Sequence, residues 1–465
     1  MITDLEILNF RSIQGGKVHL EPLTVIVGAN STGKSNLVKA LDFISDIAQY
    51  GIHDAVYKRG GFNEILPKQI KNLNGLEIYF NFNINLDEPE NWPKEFGKLT
   101  AKYELGIEQS RTGKIKIKRE SLEIKSILLL SYFLDKKWDD KENKIKIDLE
   151  LPDLNLFQQS SFKISRIKLN KLNFTTNVKL DSEHSSLLLN WLGIKRFFES
   201  RKDKKLPEVK ELEKTINSLL SAVRPGEKSE DLPIISLNRI LFGISPHLRK
   251  LVSELESISR YDLFINELRQ EQIISNSRQV SVTGDNIPSV VKTFAKEDKE
   301  AWERITSTMS NISPYFSQVR SESLRAGKEY LLFEEIFNGR AIESWEASDG
   351  TLRALAILLC LESHRQGSTI LIEEPEHGLH PWAVKDLMSH IKETISLKDI
   401  QVVITTHSQQ VLECILQNEL LITERDENGT RYNTLDKVIS NPNISMGEIG
   451  DLWTRGLLKG VPISF

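Results

Sequence analysis

The chain has 465 residues, 39% of them hydrophobic and 27% charged, with a net charge of −4 and a pI near 6.2. These values fit an ordinary globular protein of one large core with an elaboration, or roughly two to three domains, and give no basic signature that demands nucleic acid. The opening MITDLEILNF has no charged leader region, no run of about 18 apolar residues occurs, and the cysteines Cys360 and Cys414 sit in apolar helical patterns. A cytoplasmic protein without leader, membrane span or disulfide is expected.

From 1 to about 150 the text is strand-rich: DLEILNF, LTVIVG, LEIYFNFNIN, KYELGIE and KIKIKRESLEI, each bounded by turn residues. One clear helix, about 35–50, interrupts them directly after a glycine-rich turn. That turn, Gly28 to Ser35, reads GANSTGKS and fits G-x-x-x-x-G-K-[ST] between an apolar strand and a helix. Its glycines let backbone amides wrap phosphate oxygens, with Asn30 and Gly33 in that turn and Asn36 directly after it. Lys34 reaches the β- and γ-phosphates of ATP, and Ser35 gives an oxygen to Mg²⁺.

From about 150 to 275 the pattern changes. After a strand-like FKISRIKLNKLNF come SSLLLNWLGIKRFF, EVKELEKTINSLLSAV and LNRILFGISPHLRKLVSELESI, with helical spacing and charged, Pro-containing linkers. A short helical bundle is expected here, a natural surface for a partner protein.

From about 276 to 465 strand and helix alternate, which predicts a mostly parallel sheet with crossover helices. EYLLFEEIF leads into SDGTLR, where Ser348, Asp349 and Gly350 open an amphipathic helix. Ser348 is a helix cap by type, and Gly350 leaves bare amides able to approach an anion. STILIEEPEHGLHP places Glu373 and Glu374 at the carboxyl end of a buried strand. Adjacent residues on a strand face opposite ways, so Glu373 is assigned to the metal shell and Glu374 to the attacking water as general base. DIQVVITTHSQQ brings His407 to the end of a neighbouring strand, in reach of the γ-phosphate. Two helix starts suited to one triphosphate are most simply explained if they come from different subunits. In a two-fold dimer, Ser348 and Gly350 would then touch the γ-phosphate held by the partner's Lys34.

Together these motifs resemble the ATP-binding cassette ATPases of the SMC, RecF and OLD group, in particular small bacterial AAA-family members with an OLD-like head. In that resemblance GANSTGKSNL is the Walker A motif, SDGTLR the signature, ILIEEPEHGLHP the Walker B with its D-loop, and TTHS the switch histidine. It implies an α/β P-loop NTPase of the ABC/SMC-head type, with a mixed central sheet, an antiparallel β subdomain and a helical insertion. It divides the chain into an N-terminal lobe (1–150), an insertion (151–275) and a C-terminal lobe (276–465), and it implies that Arg11 approaches the nucleotide. VTGDNIPSVVKTF and GEIGDLWTRGLLKGVP also look family-like. Two departures stand out: the Walker B acid is Glu373 rather than Asp, and the Q-loop glutamine is unplaced, with Gln49 and Gln69 only weak candidates.

OLD proteins add a TOPRIM nuclease after the histidine strand, and the segment after Ser408 is short and lacks Asp-x-Asp. The resemblance therefore implies an ATPase that acts as a homodimer or higher oligomer and controls a separate nuclease, as in Septu-, PARIS- and AbiL-like antiphage systems. DNA or a phage-encoded product is the candidate trigger. The alternative is a RecF- or SMC-like ATPase acting directly on DNA. Its support is three basic stretches, 114–125, 163–171 and 195–205, which the net charge of −4 favours reading as solvated faces.

Overall fold

The computed structural model describes residues 1–68, 77–86, 99–110, 112–126, 131–139, 144–150, 162–168, 171–176, 246–337, 339–438 and 448–458. The expected helices at 185–198 and 208–223, Gln69, and the basic stretch 195–205 lie outside the described residues. By its contacts the chain forms two compact units, Met1–His19 with Phe43–Ser257, and Leu20–Asp42 with Ile258–Phe465. The division falls inside helix α1 (Lys34–Tyr50).

The first unit is built on a seven-stranded antiparallel sheet. Its order is Ile13–His19, Ile2–Phe10, Glu77–Leu86, Leu99–Gln109, Ile115–Ser126, Ser131–Asp139 and Lys144–Glu150. Phe10, Phe43 and Phe80 are fully buried, with ring centroids 5.6–5.8 Å apart. The text FKISRIKLNKLNF, which reads as one strand, is an antiparallel pair, Phe162–Lys168 with Lys171–Thr176. In the stretch 114–125, Lys116 pairs with Glu108, and Lys118 with Glu77 and Glu108.

The second unit holds the central sheet. Its strands are β1 (Leu23–Val27), β2 (Ile258–Tyr261), β3 (Thr369–Glu373), β4 (Gln401–Thr406), β5 (Leu420–Asp426) and β6 (Gly429–Thr434), in the order β2-β3-β4-β1-β5-β6. The first five in that order run parallel, and β6 closes an antiparallel hairpin with β5. β1 and β4 are buried at every position, as strands covered on both faces must be. Its longer helices are α2 (Ile287–Glu297), α3 (Lys299–Ile312), α4 (Asp349–Ser363) and α5 (Pro381–Lys398). α4 is apolar nearly all round, from Leu352 to Leu361, because it lies within the core.

The one buried acid of α4, Glu362, takes a bidentate pair from Arg304 of α3 at 2.9 and 2.8 Å and an ion pair from Lys398 of α5 at 3.0 Å. Burial alone would raise its pKa; Arg304 and Lys398 hold it below the usual carboxylate range. Three helices are thus joined by one carboxylate, and removing either cation would leave a costly buried charge. Among the described residues no helix is long and apolar enough to cross a membrane.

Candidate nucleotide site

The turn Gly28 to Ser35 leaves the carboxyl end of β1, and α1 begins at Lys34. Lys34 is buried, and its Nζ donates back to the carbonyls of Gly28 (2.8 Å) and Ala29 (3.0 Å). Burial lowers its pKa to about 8, against the pull of Glu374, Glu373 and Glu376. An ammonium folded over its own loop in this way is ready to exchange two carbonyls for phosphate oxygens. Asn30 is exposed on the loop, and the Asn36 amide donates to the Gly33 carbonyl at 2.9 Å inside the first turn of α1.

Because β3 lies next to β4, and β4 next to β1, the ends of these strands deliver their side chains to one place. Ser35 Oγ donates to Glu373 Oε2, so the two expected metal ligands already touch. Glu373 Oε1 is held from the other side by Arg260 of β2, at 3.1 Å from Nε and 3.0 Å from Nη2. A hydroxyl and a carboxylate in contact fit one edge of an octahedral Mg²⁺ shell. No group of three or more His, Cys, Asp or Glu side chains among the described residues could hold a metal. Such an ion would therefore draw its other ligands from phosphate and water.

Glu374 leaves the strand with φ 48°, a left-handed conformation that is strained for a side chain of this kind. Its amide donates to Thr405 at 2.8 Å, and its carboxylate, half exposed, stands 3.8 Å from His407 Nε2. Burial and the charge of Lys34 lower the pKa of His407, Glu374 opposing, so the ring is neutral near pH 7. A neutral imidazole beside a solvent-facing carboxylate can orient a water and take or return its proton.

Two groups at this place went unassigned in the sequence. Arg353, the last residue of SDGTLR, donates through Nη2 to the carbonyls of Glu373 (2.9 Å) and Glu374 (3.1 Å). Glu376 accepts from Thr406 Oγ1 (2.6 Å) and from the His407 amide (3.2 Å), and burial raises its pKa. Arg353 Nε and Glu376 Oε2 are buried without a partner. Both lie within motifs, SDGTLR and ILIEEPEHGLHP, whose spacing does not single them out. Arg260 was hidden differently, at the end of text with helical spacing.

The start of α4 is capped as its residue types predict. Ser348 Oγ accepts from the Thr351 amide at 3.1 Å, and Ser348 and Asp349 are exposed. Asp349 is paired with Arg269 at 2.5 Å. Gly350, by contrast, is buried; a β-carbon there would lie 2.3 Å from the Gly378 carbonyl oxygen. Arg11 belongs to the other unit, where it stands at φ 53° and its amide donates to Ile65 at 2.8 Å. Gln49 gives its amide to Ser45 and to the Glu256 carbonyl.

Compared with solved structures, the chain is similar to the SMC head domain from Thermotoga maritima, at 11% identity over 93% of this chain and 98% of that one, with a TM-score of 0.38. It is similar to an SMC head bound to the C-terminal winged-helix domain of ScpA, at 12% identity over 95% and 99%, TM-score 0.46. A third is an SMC head with an extended coiled coil bound to the C-terminal domain of ScpA, derived from Pyrococcus furiosus, at 14% identity over 94% and 97%, TM-score 0.38. No curated protein matches the chain. Residues 23–413 match the model of the family described as "AAA domain, putative AbiEii toxin, Type IV TA system". The chain belongs to that family, as an ATPase of the AAA type.

Proposed function

We propose that this chain is an ATP-hydrolysing switch that dimerises through its nucleotides and controls a separate effector, a nuclease, in defence against phage. Lys34, Gly33, Asn30 and Asn36 bind the phosphates; Ser35 and Glu373 hold Mg²⁺, which when bound offsets phosphate charge. Glu374 is the general base, and His407 reads the γ-phosphate. Ser348, Asp349 and Gly350 complete the site of a second copy, and residues 151–275 serve a partner.

The observation that carries this reading is the exposed Ser348–Asp349 turn at the start of α4, in a chain whose own phosphate loop is built on a different helix start, α1. Direct action on DNA is the less favoured reading, because the lysines of the 114–118 stretch that face Glu77 and Glu108 are already paired.

Glu374→Gln tests the proposal. The variant should bind Mg-ATP, hydrolyse it at least about a hundredfold more slowly, and collect as a dimer in light scattering. Wild-type turnover, or a monomer at saturating Mg-ATP, overturns the assignment.

A further inference from the structure

The hairpin β5–β6 lies beyond the family match, which ends at residue 413, and carries none of the motifs. Yet its side chains make a row of bonds to the phosphate loop. Thr423 Oγ1 donates to the Val27 carbonyl at 3.0 Å, and Arg425 Nη1 to that of Ser31 at 3.1 Å. Thr430 Oγ1 donates to the Thr32 carbonyl at 2.6 Å, and the Tyr432 hydroxyl to that of Gly33 at 3.0 Å. Thr423 and Thr32 also share a hydroxyl contact of 2.8 Å. Thr423, Thr430 and Tyr432 are all buried.

The geometry follows from the peptide unit. In a planar trans peptide the C=O of one residue and the N–H of the next point to opposite sides. Holding the carbonyls of Val27, Thr32 and Gly33 toward the hairpin therefore turns the amides of Gly28, Gly33 and Lys34 away from it. Gly28 shows how closely the two are fitted: a β-carbon there would fall 2.0 Å from Thr423 Oγ1.

We propose that the hairpin β5–β6 clamps the phosphate loop with its amides already aimed at a polyphosphate, and that Thr423, Thr430 and Tyr432 are positioning residues for nucleotide binding. The clamp rests on the reading of Gly28 to Ser35 as the phosphate cradle and adds what fixes its shape. A loop set before binding loses less freedom on binding, so the clamp acts on affinity and not on the chemical step.

The test uses the full chain. Thr423→Val and Thr430→Val keep shape and remove the donor; Thr423→Ser and Thr430→Ser keep the donor. Tyr432→Phe removes one oxygen, and it serves if a valine variant does not fold. Calorimetric titration with Mg-ATP is expected to show binding weakened roughly threefold to tenfold by each valine or phenylalanine change. The serine variants should bind within about twofold of wild type, and turnover at saturating ATP should hold within about twofold in every folded variant. Unchanged affinity in folded valine and phenylalanine variants overturns the clamp while the cradle stands. A similar fall in saturated turnover overturns its confinement to binding. If wild type binds no Mg-ATP, the cradle itself falls, and the clamp with it.

Discussion

Arg353 donates through its guanidinium to the main-chain oxygen of Glu374, 3.1 Å away, so the helix that begins after Ser348 holds the main chain that carries this carboxylate, just past β3 in its own chain. Glu374 needs such a hold, since its φ of 48° costs on the order of 1–2 kcal/mol for a residue with a β-carbon. Arg353→Met should leave Mg-ATP binding within about twofold and lower turnover about tenfold to a hundredfold, because a small displacement of a base is expensive in rate. Parallel measurement of the dissociation constant and kcat checks this. An equal loss in both would place Arg353 in binding instead.

The second contact of this helix is with Gly378. Its carbonyl oxygen occupies the space a β-carbon on Gly350 would need, and Gly378 itself stands at φ 81°, where a side chain is strained. Gly350→Ala must move backbone, so it should destabilise the unit by about 1–3 kcal/mol, read as a lower urea midpoint. An unshifted midpoint would show that the two turns do not pack in solution as they do here.

Arg260 competes with any cation for Glu373. Removing its charge by Arg260→Met should lower the Mg²⁺ concentration for half-maximal binding, in the presence of ATP, by about twofold to tenfold. A titration of Mg²⁺ against a fluorescent nucleotide reads the effect. A higher Mg²⁺ requirement would instead make Arg260 a support that aims Glu373 at the ion.

His364 gives a pH dependence with a definite sign. Burial, with Lys398 and Arg365 nearby, pushes it down from 6.5 to about 4, and the ring sits 2.7 Å from the Tyr261 hydroxyl, which the neutral form can accept. The unfolded chain takes up the proton near 6.5 and the folded chain only near 4. The stabilisation is therefore complete above pH 6.5 and is lost as pH falls toward 4. His364→Gln should lose about 3 kcal/mol less than wild type between pH 7 and 4 in urea unfolding, and equal losses would contradict the buried neutral ring.

What could be read from sequence divides along physical lines. β1, β3 and β4 were legible because buried parallel strands are short apolar runs, and each ended in residues with recognisable chemistry. β2 was not: helical spacing through LVSELESI runs into Ile258, and the edge strand Ile258–Tyr261 is only four residues long. Arg260, on that strand, is hidden with it. In QQVLECIL only Gln409–Leu412 is helical. The hairpin β5–β6 was silent because its work is done by threonines and a tyrosine, side chains that mean nothing until the loop they hold is in view. The alternation of strand and helix did yield the mostly parallel sheet, but not the pairing of β6 against β5.

In the proposed assembly two copies of this chain build each catalytic pocket. The most direct measurement mixes Lys34→Ala chains with Ser348→Arg chains; Ser348 is the better choice than Gly350 because it is exposed and not packed against Gly378. Each variant alone should be inactive. With random pairing, half the dimers carry one intact pocket of two, so ATP turnover should return to about a quarter of wild type. Mixed dimers that form, bind nucleotide and show no recovered turnover would contradict the shared pocket.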